Sequence, residues 1–258
     1  MADSVGGFRA GASYQWMLFR AKPSSVGILI GIPFTTAVLL SIVRVAHRED
    51  LAGAAVLAPA LASLWSVTLE LGGQCVVADR GLGMLDLVLA GPASFLRYLW
   101  GRVTVTCAIG LIGFGEAWII GVGAFGARPA IPHPGWFAAC LCATALATVP
   151  TAALLAGVLA LGRSSGAAAN FLNYPLYVLG GIFTPVALLP DGVYPISRAF
   201  YLSWAADLAR ACLRPEELSS PASSLTWVLG LGTATAVVGG LLLAGITRRL
   251  RRTGRVSW

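Results

Sequence analysis

The chain has 258 residues, of which 57% are hydrophobic and only 11% charged, with a formal net charge of +7. Soluble domains carry about 25% charged residues, so a water-soluble fold of this length is excluded for want of polar surface. The basic residues fall in short clusters between apolar runs, with no aromatic-interleaved stripe, which excludes nucleic acid as the partner of the charge.

Apolar runs long enough to cross about 30 Å of hydrocarbon recur six times, so the expected fold is an all-α integral membrane protein with six transmembrane helices. Residues 1–24 precede them and carry Phe8, Tyr14, Trp16, Met17, Leu18 and Phe19 beside Arg9, Arg20 and Lys22, ending at Pro23. That composition predicts an amphipathic helix lying in the cytoplasmic interface. It lacks the continuous apolar core of a cleavable signal peptide. Residues 25–258 then form the membrane domain, with spans predicted at 25–45, 51–77, 103–125, 136–161, 167–189 and 225–247. Gly31, Pro33, Pro59, Pro150 and Pro175 lie inside them, as membrane helices tolerate.

Orientation follows from the arginines. With the N-terminus inside, Arg9, Arg20, Lys22, Arg80, Arg97, Arg102, Arg163 and the tail Arg248, Arg249, Arg251, Arg252 and Arg255 face the cytoplasm. Arg44, Arg48, Arg128, Arg198, Arg210 and Arg214 face outward, offset by Glu49, Asp50, Asp191, Asp207, Glu216 and Glu217. Both termini are therefore expected in the cytoplasm.

Two non-spanning segments stand out. Residues 79–102 place Leu82, Leu85 and Leu89 on one helical side and Asp79 and Asp86 on another. A Gly91-Pro92 break and a second apolar face of Phe95, Leu96, Leu99 and Trp100 follow. This predicts a cytoplasmic amphipathic hairpin that offers a polar face to a soluble partner. Residues 190–224 hold Tyr194, Phe200, Tyr201 and Trp204, which suits an outer segment dipping back into the membrane.

Enzymatic constellations are missing. His47 and His133 stand far from any cysteine pair or carboxylate cluster, and the five cysteines show no metal or disulfide spacing. The single lysine, Lys22, precedes Pro23, so no Lys-Ser/Thr phosphate loop can form, and any ATP must be hydrolysed by another polypeptide. Glu70 and Glu116 lie within predicted spans. Ionisable groups there are costly. Glu70 serves either as a lining group of a translocation pathway or as a hydrogen-bonded structural carboxyl. The glycines around Glu116 (Gly113, Gly115, Gly121, Gly123) favour close helix packing.

Asp79-Arg80-Gly81-Leu82-Gly83-Met84-Leu85-Asp86, followed by Pro92, resembles the cytoplasmic Glu-Arg-x-x-Gly-Thr-Leu-Glu stretch of type-2 ABC (ABC-2) transporter permeases, with Met84 in place of the Thr. Gly180-Gly181-Ile182-Phe183-Thr184-Pro185-Val186 and Leu189-Pro190 resemble that family's Ser-Gly-Ile-Phe-Phe-Pro-Val…Leu-Pro signature. Asp207-Leu208-Ala209-Arg210 matches its Asp-x-x-Arg pattern, although Tyr201 stands where a Pro is common.

The resemblance implies the membrane subunit of a bacterial ATP-driven exporter in the cytoplasmic (inner) membrane, moving a drug, natural product or lipid-linked molecule. It implies two soluble ATPase copies, a second permease copy or paralogue, and lipid as partners. No cofactor binds this chain, ATP and Mg acting through the ATPase. It assigns coupling to the ATPase to Asp79, Arg80, Leu82, Gly83, Leu85 and Asp86. An extracellular gate falls to Phe183, Pro185, Phe200, Tyr201 and Trp204. The rival reading is an ion-coupled secondary transporter using Glu70 and Glu116.

Overall fold

The computed structural model describes residues 2–21, 24–82, 95–127, 130–159 and 173–253. Every regular element among them is helical. In chain order these are α1 (Ala2–Ala21), α2 (Ser24–Val45), a 3-10 turn (Glu49–Leu51), α3 (Ala52–Gly81), α4 (Phe95–Phe125) and α5 (Pro134–Leu159). A helical run over 173–179 (α6), a second 3-10 turn (Val186–Leu188), α7 (Tyr194–Arg198), α8 (Tyr201–Ala211) and α9 (Pro221–Thr253) follow.

Four helices hold a stretch long and apolar enough to cross a membrane: Ala52–Gly72, Phe95–Phe125, Pro134–Ala156 and Pro221–Gly245. In α2 the apolar stretch is shorter, Ile30–Val45. The predicted crossing at 167–189 is described only from residue 173, and its helix stops at residue 179. The stop is a Gly180-Gly181 pair, with Gly181 at φ +65°, a left-handed conformation that a side chain disfavours.

Helix ends differ from the sequence expectation in one instructive place. The predicted cytoplasmic hairpin over 79–102 is, on both flanks, continuous with the crossings. Asp79 and Arg80 form the last turn of α3, and Phe95 to Arg102 form the first two turns of α4. No proline falls between Pro59 and Gly81, and Pro92 lies just ahead of α4, so helical hydrogen bonding runs on past the apolar limit. Residues 83–94 lie outside the described residues. The N-terminal helix likewise begins at Ala2, earlier than its first aromatic residue.

The hub is α3, with 78% of its apolar stretch buried, against 22% for α9. Small residues let α4 lie almost directly on it. A Cβ at Gly110 would meet the Leu64 backbone at 3.0 Å, and one at Gly113 would collide with Ser63 and Ile32. Ser63 Oγ, brought this close, donates to the Gly110 carbonyl at 3.1 Å. Where lipid removes the hydrophobic drive between helices, such close packing and interhelical hydrogen bonds supply the attraction. Gly115 and Gly123 face open space, so only half of the glycines around Glu116 serve this contact.

α1 is packed more firmly than a floating interfacial helix. It crosses the first turns of α4 at two reciprocal glycines. A side chain at Gly11 would strike the Tyr98 carbonyl, and one at Gly101 would strike the Phe8 carbonyl.

Candidate functional site

The Asp79 end of α3 is a buried polar junction. Arg102, 2% exposed, pairs with Asp79, also 2% exposed. The Arg102 guanidinium also donates to Gln15 Oε1 on α1 (2.9 Å) and to the Cys75 carbonyl on α3 (3.2 Å). Tyr98 Oη donates to Asp79 Oδ2 at 3.1 Å. The Tyr14 ring centroid lies 5.0 Å from the guanidinium carbon, a cation–π distance. One arginine thereby ties three helices together. Its charge is sustainable at such depth because Gln15, the Cys75 carbonyl and Asp79 accept from it and an opposite charge is adjacent.

This changes the part Asp79 can play. Predicted as a polar contact to a soluble partner, it points instead into the junction, because neutralisation by Arg102 permits its burial. Leu82, 66% exposed, is open to a partner. Gly83, Leu85 and Asp86 fall outside the described residues, as does the side chain of Arg80. In the sequence Gln15 carries no signal of this role, and Arg102 reads only as an orientation charge flanking the hairpin. Its position four residues after Tyr98, at the head of an apolar run, was the signal available.

At the opposite end the chain doubles back. Trp65 sits 13 residues into α3 and 14 before Asp79, close to mid-helix. Phe200 packs edge-on against it (5.3 Å between centroids) and Tyr201 lies 6.4 Å away. α8 therefore starts at mid-level. It runs toward the Ala52 end of α3, burying Leu202, Ala205, Ala206, Leu208 and Ala209 on the way. Tyr201 is 1% exposed, and its hydroxyl shares a 2.8 Å hydrogen bond with Thr148 of α5.

Arg210 locks the return. It donates to the Gly181 carbonyl and, at 2.8 Å, to the Ile182 carbonyl, both freed by the break after α6. Asp207 holds Arg210 (3.3 Å) and Arg198 (2.8 Å) together. The Asp-x-x-Arg pattern is thus the clasp of the Gly180-Gly181 break.

The aromatic residues assigned to a gate divide into three groups. Phe183, 43% exposed, pairs with Tyr177 at 5.5 Å, and Pro185 is exposed near it. Phe200 and Tyr201 belong to the Trp65 core. Trp204 stacks on Trp227 of α9 at 5.4 Å and donates its indole N–H to the Arg198 carbonyl at 2.9 Å. Within one chain they form no single ring, and Tyr201 is a core residue.

A family model described as ABC-2 type transporter matches residues 8–213. The chain belongs to the ABC-2 type transporter family. No curated protein matches it. The match begins at the α1–α4 crossing and ends just past α8, so it spans both the polar junction and the Arg210 clasp of this ABC-2 permease. With several apolar helices, the permease is a multi-pass membrane protein.

Its two membrane carboxylates do not meet. The close approaches of Gly110 to Leu64 and of Gly121 to Val56 set α3 and α4 antiparallel, which places Glu116 level with about residue 59. Glu70 is then about 16 Å further along the axis. Glu70 is half-buried. One oxygen of Glu116 is buried without a hydrogen-bond partner among the described residues.

Proposed function

We propose that this permease is the membrane half of an ATP-driven exporter, carrying a hydrophobic or amphipathic cargo out across the bacterial cytoplasmic membrane. The family match over 8–213 carries the reading. Two copies, or one copy and a paralogue, enclose the pathway, and two soluble ATPase subunits bind ATP and Mg below. The chain makes six crossings with both termini inside, the 1–24 helix and the 79–102 flanks at the ATPase side.

Coupling runs through Arg80, Leu82, Gly83, Leu85 and Asp86. Asp79 contributes by anchoring them. A push on this segment enters a junction where Arg102 binds α1, α3 and α4, so the three helices shift as one body. The extracellular gate is formed by Phe183 and Pro185 meeting their counterparts across the dimer. Phe200, Tyr201 and Trp204 fix the floor beneath them. A sparsely charged pathway past Glu70 suits a drug, natural product or lipid-linked molecule better than an ion. The ion-coupled alternative needs a relay between Glu70 and Glu116, and their separation of about 16 Å disfavours it.

The test is co-purification with a soluble P-loop ATPase co-expressed with the permease. Asp86→Arg combined with Arg80→Glu should abolish capture of the ATPase. Capture and transport undiminished in that double variant would remove these residues from coupling.

A further inference from the structure

A cavity of about 560 Å³ opens at the Ala52 end of the bundle, remote from both the polar junction and Glu70. The last turn of α2, the first turn of α3, the end of α4 and the chain leaving α8 form its walls. Its lining has two characters. Arg44, Arg210 and Arg214 supply cationic groups, and Leu40, Val43 and Phe125 supply an apolar side.

The charges are only partly paired among the described residues. Asp50 also lines the cavity, but both its oxygens accept hydrogen bonds from Arg48, each at 2.9 Å. Those bonds hold the Asp50 carboxyl below its usual range and occupy it. Asp207 is shared between Arg198 and Arg210. Arg44 and Arg214 have no ion-pair partner among the described residues, and Arg214 is near enough to Arg210 to repel it. Glu216 and Glu217 follow in the same loop without lining the cavity. The first turn of α3 adds the positive end of a 30-residue helix. Arg44 and Arg214, unpaired among the described residues, favour an anion, and guanidinium groups match phosphate oxygens in geometry.

The apolar side identifies the rest of the ligand. Leu40, Val43 and Phe125 place an apolar wall beside the arginines, which matches the hydrocarbon next to a phosphate group better than a free anion. We propose that the cavity holds the phosphate of an anionic amphiphile, an acidic phospholipid or a molecule like one, between Arg44 and Arg214, with its apolar part against Leu40, Val43 and Phe125. The site needs only the four walls described and does not depend on the transport reading.

The full chain, reconstituted into nanodiscs of mixed phosphatidylcholine and phosphatidylglycerol, tests this by native mass spectrometry of retained lipid. The wild type should keep phosphatidylglycerol preferentially. Arg44→Gln with Arg214→Gln should weaken that preference roughly tenfold or more, as loss of charge-assisted hydrogen bonds implies. Arg44→Lys with Arg214→Lys, and the remote Arg9→Gln, should retain most of it. Val43→Trp, which fills the cavity without touching a charge, should expel the lipid and serves if the glutamine pair misfolds. In phosphatidylcholine nanodiscs, inorganic phosphate alone should bind weakly. Saturable phosphate binding that needs Arg44 and Arg214, with no lipid preference, would assign the site to a soluble anion and overturn the amphiphile. Unchanged phosphatidylglycerol retention in the glutamine pair or in Val43→Trp would overturn the site itself.

Discussion

Residue by residue, the strongest stability claim concerns Arg102. Removing one member of a buried ion pair leaves an uncompensated charge, which typically costs about 3–5 kcal/mol. Arg102→Ala should therefore lower the detergent melting temperature sharply. Asp79→Leu with Arg102→Met should recover much of the loss, because an apolar pair of similar volume is often neutral. An Arg102→Ala protein as stable as wild type would show that the junction is not structural. Tyr201 separates core from gate. Tyr201→Phe deletes the hydrogen bond to Thr148 and should cost about 1 kcal/mol without raising leak. Phe183→Ala, at an exposed ring, should raise leak or basal ATPase activity while stability hardly moves. An aromatic ring in an outer segment looks the same in sequence whether it faces a pathway or a tryptophan of its own chain. Sequence alone therefore groups Tyr201 with the gate residues. Its neighbours are 53 residues away on α5 and over 130 away on α3, beyond any local pattern.

At the scale of elements, helix existence was legible and helix ends were not. Apolar runs located α3, α4, α5 and α9, since lipid-facing length is written directly in composition. The ends of α3 and α4 overshoot those runs because Asp79 and Arg102 neutralise one another, a pairing across 23 residues that hydropathy cannot register. The Gly180-Gly181 break and its clasp were visible as motifs, but their joint purpose emerged only when Arg210 met the freed carbonyls. The crossing of α1 and α4 gives the element-level prediction. Gly11→Val should clash with the Tyr98 carbonyl, destabilise the protein and make α1 susceptible to limited proteolysis. Gly6→Ala, which meets open space, should be neutral or slightly stabilising through helix propensity. Equal proteolysis of the two variants would mean that α1 is not held at that crossing.

For the whole molecule, the low charge content was enough to infer a bilayer, and the family match over 8–213 gives the multi-pass protein its class. The exposed apolar rows on α2 and α9 need lipid or a second copy to cover them. A chain built on one polar junction and one clasped return is suited to moving as a body when pushed from a single end. ATP is the energy source this account requires. The decisive measurement is transport of a hydrophobic cargo in proteoliposomes holding the permease and its P-loop partner, with the proton gradient collapsed by an uncoupler. Transport should continue and should stop when ATP is withheld. Transport that follows the gradient and ignores ATP would contradict it.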